Sequence, residues 1–518
     1  MQLFPMDDAY IHLVYARNIA NYGQLTFNYP TLDTGIGTSS ILWTLLLAGS
    51  IELGLSPILA AQMLGALAYF LTIALSYWLA KSAYEKIQRK PVVWQPILIA
   101  MLVACSGNLI WFSASGMETM LWLALGLCVI KSYLNRRFTL LGVFGGLLLL
   151  TRIEGLLLLA TISLVDVWQR KGVNAQLIGS LALAGLILTP WLGYTFAHTG
   201  HLLPTTFAGK SQAHIQAAQT ISGGFARWLI YPSVSLGYFI AFVFGGVYLP
   251  GPKLAIPGQL GAQIGGLAIL AFIALALTLF VSWAAVRKIK SESKYFQEFW
   301  LIIAGWLIFH NLAYWIALPT PGTASRYQVL NHWALWVLVG FGLTCIAKTK
   351  QRLFIPLFVA AALVNSFYWQ QVYNSNLRHM SQVRLTAATW VNKDLPRDAV
   401  VAVHDIGATG WIMRQSCFDL GGLIDEAFNE YRQAGRLTDL LRERQVQFIV
   451  LPTKHSSENQ AIFDYRQSLG LIDQSFILKP IKHFENDYDD WRFGALPTWN
   501  ALPAVTIYKL QFLEPTPP

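Results

Sequence analysis

The chain has 518 residues, 55% of them hydrophobic and 12% charged. An ordinary soluble domain carries about twice that charged fraction, so water is excluded as the solvent for most of this chain. The formal net charge of +10 does not point to nucleic acid, because the basic residues gather in short loops between apolar runs and read as a topology signal.

In chain order, Met1 to Asp8 holds two acids and no basic region, so no cleavable signal peptide is expected. The stretch Asp7-Asp8-Ala9-Tyr10-Ile11-His12-Leu13-Val14-Tyr15-Ala16-Arg17-Asn18 places Ile11, Val14, Tyr15 and Ile19 on one helical face. That spacing predicts a short amphipathic helix opened by two carboxylates. Ile41–Leu53 is apolar but short, runs into Gly54 and Pro57, and is expected to lie along the membrane interface.

Ten crossings follow: Pro57–Ala80, Val92–Phe112, Thr119–Leu134, Phe138–Leu150, Glu154–Trp168, Gln176–Ala197, Leu260–Val286, Gln297–Leu318, Gln328–Ala347 and Phe354–Gln370. Most are long enough for a hydrocarbon core of roughly 30 Å. Trp228–Leu249 is also long enough, but counting it once would invert every later loop, so it reads as a re-entrant segment or a broken hairpin. Thr151-Arg152-Ile153-Glu154-Gly155 joins two short runs. A hairpin there lifts Arg152 and Glu154 out of hydrocarbon, where each charge would cost about 2.5–3.5 kcal/mol.

The basic clusters are Lys81, Lys86, Arg89 and Lys90; Arg136 and Arg137; Arg170 and Lys171; Arg287, Lys288 and Lys290; and Lys348, Lys350 and Arg352. Placing them inside puts both termini outside. Beyond Gln370 charge rises and short alternating segments appear. Strands are expected at Val400–His404, Gln447–Leu451, Ile472–Leu478 and Ala504–Leu510, with helices near Glu426–Arg444 and Asn459–Leu469. The predicted fold class is therefore an α-helical polytopic membrane protein with a soluble C-terminal α/β domain. Residues 1–56 form an outer-face loop carrying candidate catalytic acids, 57–371 the transmembrane core and 372–518 the extracytoplasmic domain. Cys105, Cys128 and Cys345 lie in apolar runs and Cys417 is alone in the tail, so neither a disulfide within the tail nor a metal-ligand spacing is present.

Polar groups at the outer ends of the crossings are the candidate chemistry. Asp7 or Asp8 either caps its helix and favours the helix dipole, or acts as a general base held at the membrane surface. Arg152, Lys210 and Arg326 lie on the same side and are candidates for neutralising a phosphate. Any one of them alone is more often a loop charge or a snorkelling anchor than a ligand contact, and Arg152 and Glu154 form a structural pair on the alternative reading. Glu118, Glu154, Tyr327 and His310 are candidate substrate contacts, His310 having the alternative of a polar core residue. His404-Asp405 reads as a strand end followed by a glycine turn rather than a metal site.

These blocks together resemble the GT-C superfamily of polytopic glycosyltransferases. The likeness is greatest to the bacterial branch related to terminal arabinofuranosyltransferases, and more distant to protein O-mannosyltransferases and the lipid A aminoarabinose transferase. The blocks that carry it are Asp7–Asn18 with Gly23-Gln24-Leu25-Thr26-Phe27-Asn28, Thr38–Leu47, Gly116–Thr119, Leu150–Gly155, Leu203–Lys210 and Arg326-Tyr327. In the tail they are Asp405-Ile406-Gly407-Ala408 and Asp419-Leu420-Gly421-Gly422-Leu423-Ile424-Asp425. The resemblance implies an outer loop with an Asp followed by an acid. The first Asp, here Asp7, would be the catalytic base and Asp8 its partner. It also implies inversion at the anomeric carbon and a polyprenyl-monophosphate sugar donor.

Two departures are visible. Relatives carry a spanning helix before the acidic loop, whereas six residues precede Asp7 here, and many have Pro where this chain has Ile153. A preceding span would give eleven crossings and an inward start. The expected function is transfer of a sugar to an extracytoplasmic glycan, lipid or protein acceptor at the bacterial inner membrane, among membrane lipids, with no cofactor and no metal. A transporter or flippase of lipid-linked sugars and a non-catalytic glycan-assembly subunit are the alternatives.

Overall fold

The structure is a computed structural model and describes residues 3–31, 33–87, 93–202, 293–317, 323–455, 461–464, 469, 471, 475–485 and 504–513. The expected segments Trp228–Leu249 and Leu260–Val286, and Lys210, lie outside the described residues.

The amphipathic start is helix α1 (Asp8–Tyr22), ended by Gly23 in the left-handed region at φ 67°. Its apolar residues divide between two cores. Tyr10, Leu13 and Ala16 enter the helical bundle, while Ile11, Val14 and Tyr15 enter the core of the C-terminal sheet. Helix α2 (Ile41–Glu52) is capped by the Ser40 hydroxyl, which accepts from the Trp43 amide. It is pinned inward by Trp43, whose indole donates to the Gly116 carbonyl at 3.0 Å.

The bundle consists of α3 (Pro57–Ile87), α4 (Trp94–Ala104), α5 (Gly107–Ala114), α6 (Thr119–Leu134), α7 (Phe138–Thr151), α8 (Gly155–Arg170), α9 (Ala175–Thr199), α10 (Lys294–Ala317), α11 (Val329–Cys345) and α12 (Lys348–His379). Among the described residues, three helices are long and apolar enough to cross a membrane: Pro57–Lys86, Ala175–Thr199 and the run from Lys348 to Asp394. The α4–α5 pair, bent by 57°, makes a fourth if taken as one span. Gly107 sits at that bend, donating its amide to Asn365 Oδ1 at 2.7 Å. A Cβ on it would come 2.5 Å from the Asn365 carbonyl oxygen, so the close approach requires glycine. Helix α6, at 16 residues, is about 24 Å long. It is buried along nearly its whole length, as expected of a helix apolar all round that is sheathed by other helices.

Hydropathy ends the last crossing at Gln370, but α12 runs on to His379. It continues through a π-turn at Met380–Arg384 into α13 (Leu385–Asp394). The change at Gln370 therefore marks where apolar surface stops, while backbone hydrogen bonding carries the helix onward into the C-terminal domain.

That domain is a six-stranded sheet in the order β2-β1-β3-β6-β5, with β4 also paired to β3. The strands are β1 (Val400–Val403), β2 (Ser416–Asp419), β3 (Val446–His455), β4 (Ala461–Asp464), β5 (Phe476–Glu485) and β6 (Ala504–Phe512). β1 runs parallel to β2 and β3; β6 is antiparallel to β3 and β5. Alternate residues feed opposite faces. Val401, Val403, Phe448 and Val450 face α1 and α13. Ala402, Ile449 and Leu451 face α15 (Ala427–Gln433) and α16 (Leu437–Glu443). The short α14 (Ile406–Ile412) follows β1.

Three expectations are corrected here. The helix near Asn459–Leu469 contains a strand, because residues 461–464 pair antiparallel with the end of β3. The helix at Glu426–Arg444 is broken into α15 and α16 at Gly435, whose φ is 67°. β5 starts at Phe476 and runs to Glu485, later than the expected Ile472–Leu478.

The helix ends carry charge in two places. At one end, Arg136 between α6 and α7 meets Glu298 near the start of α10 at 2.5 Å and Asp166 near the end of α8 at 3.6 Å. Both carboxylates are 1% exposed. Asp166 also holds Arg170 and the Tyr133 hydroxyl, both at 3.0 Å, so Arg136→Ala is expected to fall chiefly on Glu298 and to cost up to about 3 kcal/mol, the low end for a broken buried pair because the arginine is partly exposed. A fall in the thermal unfolding midpoint in detergent, partly recovered in Arg136→Ala/Glu298→Gln, checks this.

Candidate active site at the other end of the bundle

The opposite ends of the same helices bring a second polar cluster together from five separate segments. Arg152 caps α7 in an extended conformation. Its guanidinium meets Glu154 at 2.6 Å and Glu118, just before α6, at 3.6 Å. Tyr314, in the last turn of α10, donates its hydroxyl to Glu154 at 2.5 Å. Arg326, in a 3₁₀ turn (Thr323–Gln328) leading into α11, meets Asp8 at 2.5 Å. The Tyr327 ring lies beneath both guanidiniums, at 4.6 Å from Arg152 and 5.2 Å from Arg326. His310 stacks between Trp306 and Tyr314, with ring centroids 4.5 Å apart on each side. Arg152, Glu154, His310, Tyr314, Arg326 and Tyr327 line one pocket, with Thr119 and Trp122 beside them.

Burial alone would raise the Glu118 carboxyl, but His12, Arg152 and Arg326 outweigh it and bring it down to about 2. Glu154 accepts from Arg152 and from the Tyr314 hydroxyl. Two guanidiniums thus face three carboxylates (Asp8, Glu118 and Glu154) among the described residues. Arg326 Nε and His310 Nδ1 are buried with no hydrogen-bond partner among those residues. Orphaned polar atoms are costly in a closed interior, and both lie on residues that line the pocket.

Asp7 faces a different way. Its Oδ2 accepts the Gly407 amide and its Oδ1 the Ala408 amide, both at 2.8 Å, from the start of α14. It is 7% exposed. Burial, above all, raises its carboxyl to about 6; Asp405 and Asp8 add to the rise, while Arg384 and the Ala408 amide oppose it.

The structure therefore brings Asp8, Glu118, Arg152, Glu154, His310, Arg326 and Tyr327 to one place and sets Asp7 beside them through its chain neighbour Asp8. Lys210 lies outside the described residues. Tyr314 was missed, although Trp306, His310 and Tyr314 recur at four-residue spacing and so share one helical face. His12 was missed too: it lies 3.5 Å from Glu118, its other ring nitrogen 3.0 Å from the Thr38 hydroxyl. Arg384, which packs near Asp7, offers no local signal.

A family model described as a domain of unknown function, DUF8728, matches residues 371–508. No curated protein matches the chain by sequence. Among solved structures, ArnT from Cupriavidus metallidurans in the apo state is similar at 14% identity and a TM-score of 0.54, over 98% of this chain and 94% of that one. The same protein bound to undecaprenyl phosphate gives 12% and 0.51 over the same shares. The oligosaccharyltransferase AglB from Archaeoglobus fulgidus, in complex with an inhibitory peptide and a dolichol-phosphate, gives 12% and 0.52 over 86% of this chain. This chain spans 65% of that protein's length. The chain has the GT-C fold.

Within this GT-C fold the acidic start of α1 is shared between two bodies, and Asp7 carries a testable proton. Its carboxyl is a weaker acid folded, at about 6, than at its ordinary value of 3.8. The stability it contributes is fully present below that ordinary value and lost as pH rises through about 6, by at most about 3 kcal/mol. Asp7→Asn is expected to flatten the fall in unfolding midpoint between pH 4 and 7 relative to the parent, whatever its effect on the absolute midpoint.

Proposed function

We propose that the protein is a glycosyltransferase that moves a sugar from a polyprenyl-phosphate donor to a hydroxyl of a glycan, lipid or protein on the extracytoplasmic side of a bacterial plasma membrane. The observation that carries this reading is the convergence of buried guanidiniums and carboxylates from distant segments at one end of an apolar helical bundle. A headgroup whose lipid tail lies among the helices would meet them there. The GT-C fold supports it. So do the undecaprenyl phosphate bound to ArnT and the dolichol-phosphate bound to AglB. The basic loops at the other helix ends support the outward orientation.

In the proposed reaction the bond from the anomeric carbon to the phosphate oxygen breaks, and a bond from that carbon to the acceptor oxygen forms. The acceptor proton passes to Asp7, and polyprenyl phosphate leaves with the electron pair. Attack from the face opposite the phosphate inverts the anomeric centre. An ionised carboxylate has about four lone-pair positions, of which the Gly407 and Ala408 amides use two, so Asp7 retains acceptor capacity for an incoming hydroxyl. Its raised proton affinity suits a general base acting near neutral pH. Arg152 and Arg326, with Lys210, are assigned to the phosphate, where charge grows as the bond breaks. Glu118, Glu154 and Asp8 are assigned to sugar hydroxyls, with His310 and Tyr327 at the sugar face.

Asp7→Asn is expected to reduce transfer from an undecaprenyl-phosphate-linked sugar by about 10²-fold or more, the range for losing a general base. Activity within about threefold of the parent would remove Asp7 from that role. Arg152→Ala is expected to lower kcat/KM for the donor while leaving the acceptor KM unchanged. Movement of the intact lipid-linked sugar across vesicles without transfer would favour a flippase instead.

A further inference from the structure

The structure joins Asp7 to the C-terminal sheet domain through a second polar network, separate from the pocket. Arg384, 5% exposed, belongs to the π-turn that ends α12. It donates Nη1 to Asp405 Oδ2 at 2.5 Å and Nε to His379 Nε2 at 3.1 Å. The other Asp405 oxygen lies 3.0 Å from His404 Nδ1. Asp405 directly precedes α14, whose first amides hold Asp7. A Cβ on Gly407 would overlap the Asp7 carbonyl oxygen and come within 2.7 Å of its Oδ2. No side chain is compatible with this contact. The far end of α14 is tied to the same helix, because Arg17 donates to the Trp411 carbonyl at 3.0 Å and lies over its ring.

We propose that Arg384, Asp405 and Gly407 are positioning residues for sugar transfer: the C-terminal domain sets the orientation of the Asp7 carboxylate, so that this domain is a working part of the catalytic centre. The inference rests on the reading of Asp7 as the base. Three features support it. One amide to each oxygen fixes the plane of the carboxylate and leaves its remaining lone pairs aimed in set directions. Asp405 is held from two sides by Arg384 and His404, so the loop that presents those amides is itself fixed. The groups that face Asp7 are Arg384 from the π-turn, Asp405 and the Gly407 and Ala408 amides from the β1–α14 junction, Asp8 and Tyr10 from its own segment, and Cys417 from β2. Arg384 is the cation among them, so its removal disfavours the ionised base. Misplacement of a base by an ångström costs up to about 10²-fold in rate, which makes a domain contact of this kind directly visible in turnover.

The test uses full-length protein in nanodiscs, with undecaprenyl-phosphate-linked sugar for turnover and undecaprenyl phosphate for binding. Infrared titration of Asp7, assigned by difference from Asp7→Asn, reads the proton directly. Gly407→Ala and Arg384→Gln are each expected to lower kcat about 10-fold or more and raise the Asp7 midpoint by about one pH unit. Undecaprenyl phosphate binding should stay within about twofold of the parent, because the phosphate residues are untouched. Arg384→Lys should recover most of both losses. The proposal is overturned if either variant keeps the parental kcat and midpoint. It is equally overturned if kcat and lipid binding fall together, or if Arg384→Lys fails to fold along with Arg384→Gln, since the contact would then only hold the domain in place. An active Asp7→Asn instead overturns the base assignment itself, which separates the two failures.

Discussion

Two adjacent carboxylates at the start of α1 face two different bodies, and the rest of the molecule is arranged around that division. Asp8 is held by Arg326 from the bundle, Asp7 by the first amides of α14 from the sheet domain. Consecutive side chains at a helix start diverge by roughly 100°, so a single backbone position presents one charge to each side. The helix behind them repeats the pattern: Tyr10 and Leu13 pack into one core, Ile11 and Val14 into the other. α1 is therefore a buried wedge between the two bodies. Movement of either body must be felt at Asp7 and Asp8, because each carboxylate is held by a group from a different body.

The helices of the bundle separate charge by sequence position along each of them. α8 carries Glu154 before its first turn and Asp166 near its last, and α10 carries Glu298 near its start and Tyr314 near its end. Asp166 and Glu298 are buried and Glu154 is largely so, and each finds an arginine, Arg152 at one end and Arg136 at the other. Breaking such a pair is strongly unfavourable while forming it gains little. These pairs therefore act chiefly to reject other registers: sliding α8 or α10 by one turn would strand a carboxylate in an apolar interior. The lower cluster holds the helix ends together, so that the upper one can be aligned.

Much of this was readable from residue order. The break between α7 and α8 at Arg152–Glu154 followed from the cost of burying both charges in one straight helix. Glu118, Arg152, Arg326 and Tyr327 could be nominated because they fall beside apolar runs on one side of the expected topology, although each alone reads as a loop group or an anchor. The partners were another matter. Nothing local says that Asp7 takes the amides of Gly407 and Ala408, 400 and 401 residues away; that depends on how the sheet domain seats on α1. Asp405 reads in sequence as part of a strand end and glycine turn, which is true of its backbone, yet Arg384 and His404 hold it close to Asp7. The strand at 461–464 was taken for a helix because its pairing with β3, rather than its own composition, decides its conformation. Local pattern located the polar groups; long-range contacts assigned their orientation.

The charge balance of the pocket constrains what can occupy it. Two arginines already hold three carboxylates among the described residues, and a bare phosphate would add negative charge to that set. Phosphate alone satisfies only the cations and leaves Glu118, Glu154 and Asp8 facing it. A sugar phosphate brings hydroxyl donors as well as anionic acceptors. Its hydroxyls can take over the carboxylates while its phosphate takes the freed guanidinium N–H groups, including the unpartnered Nε of Arg326. Under the proposed reaction this exchange favours the intact donor over the departing lipid phosphate, whose sugar has gone. Loss of the sugar returns the carboxylates to their arginines. Re-forming those ion pairs would then help to expel the product.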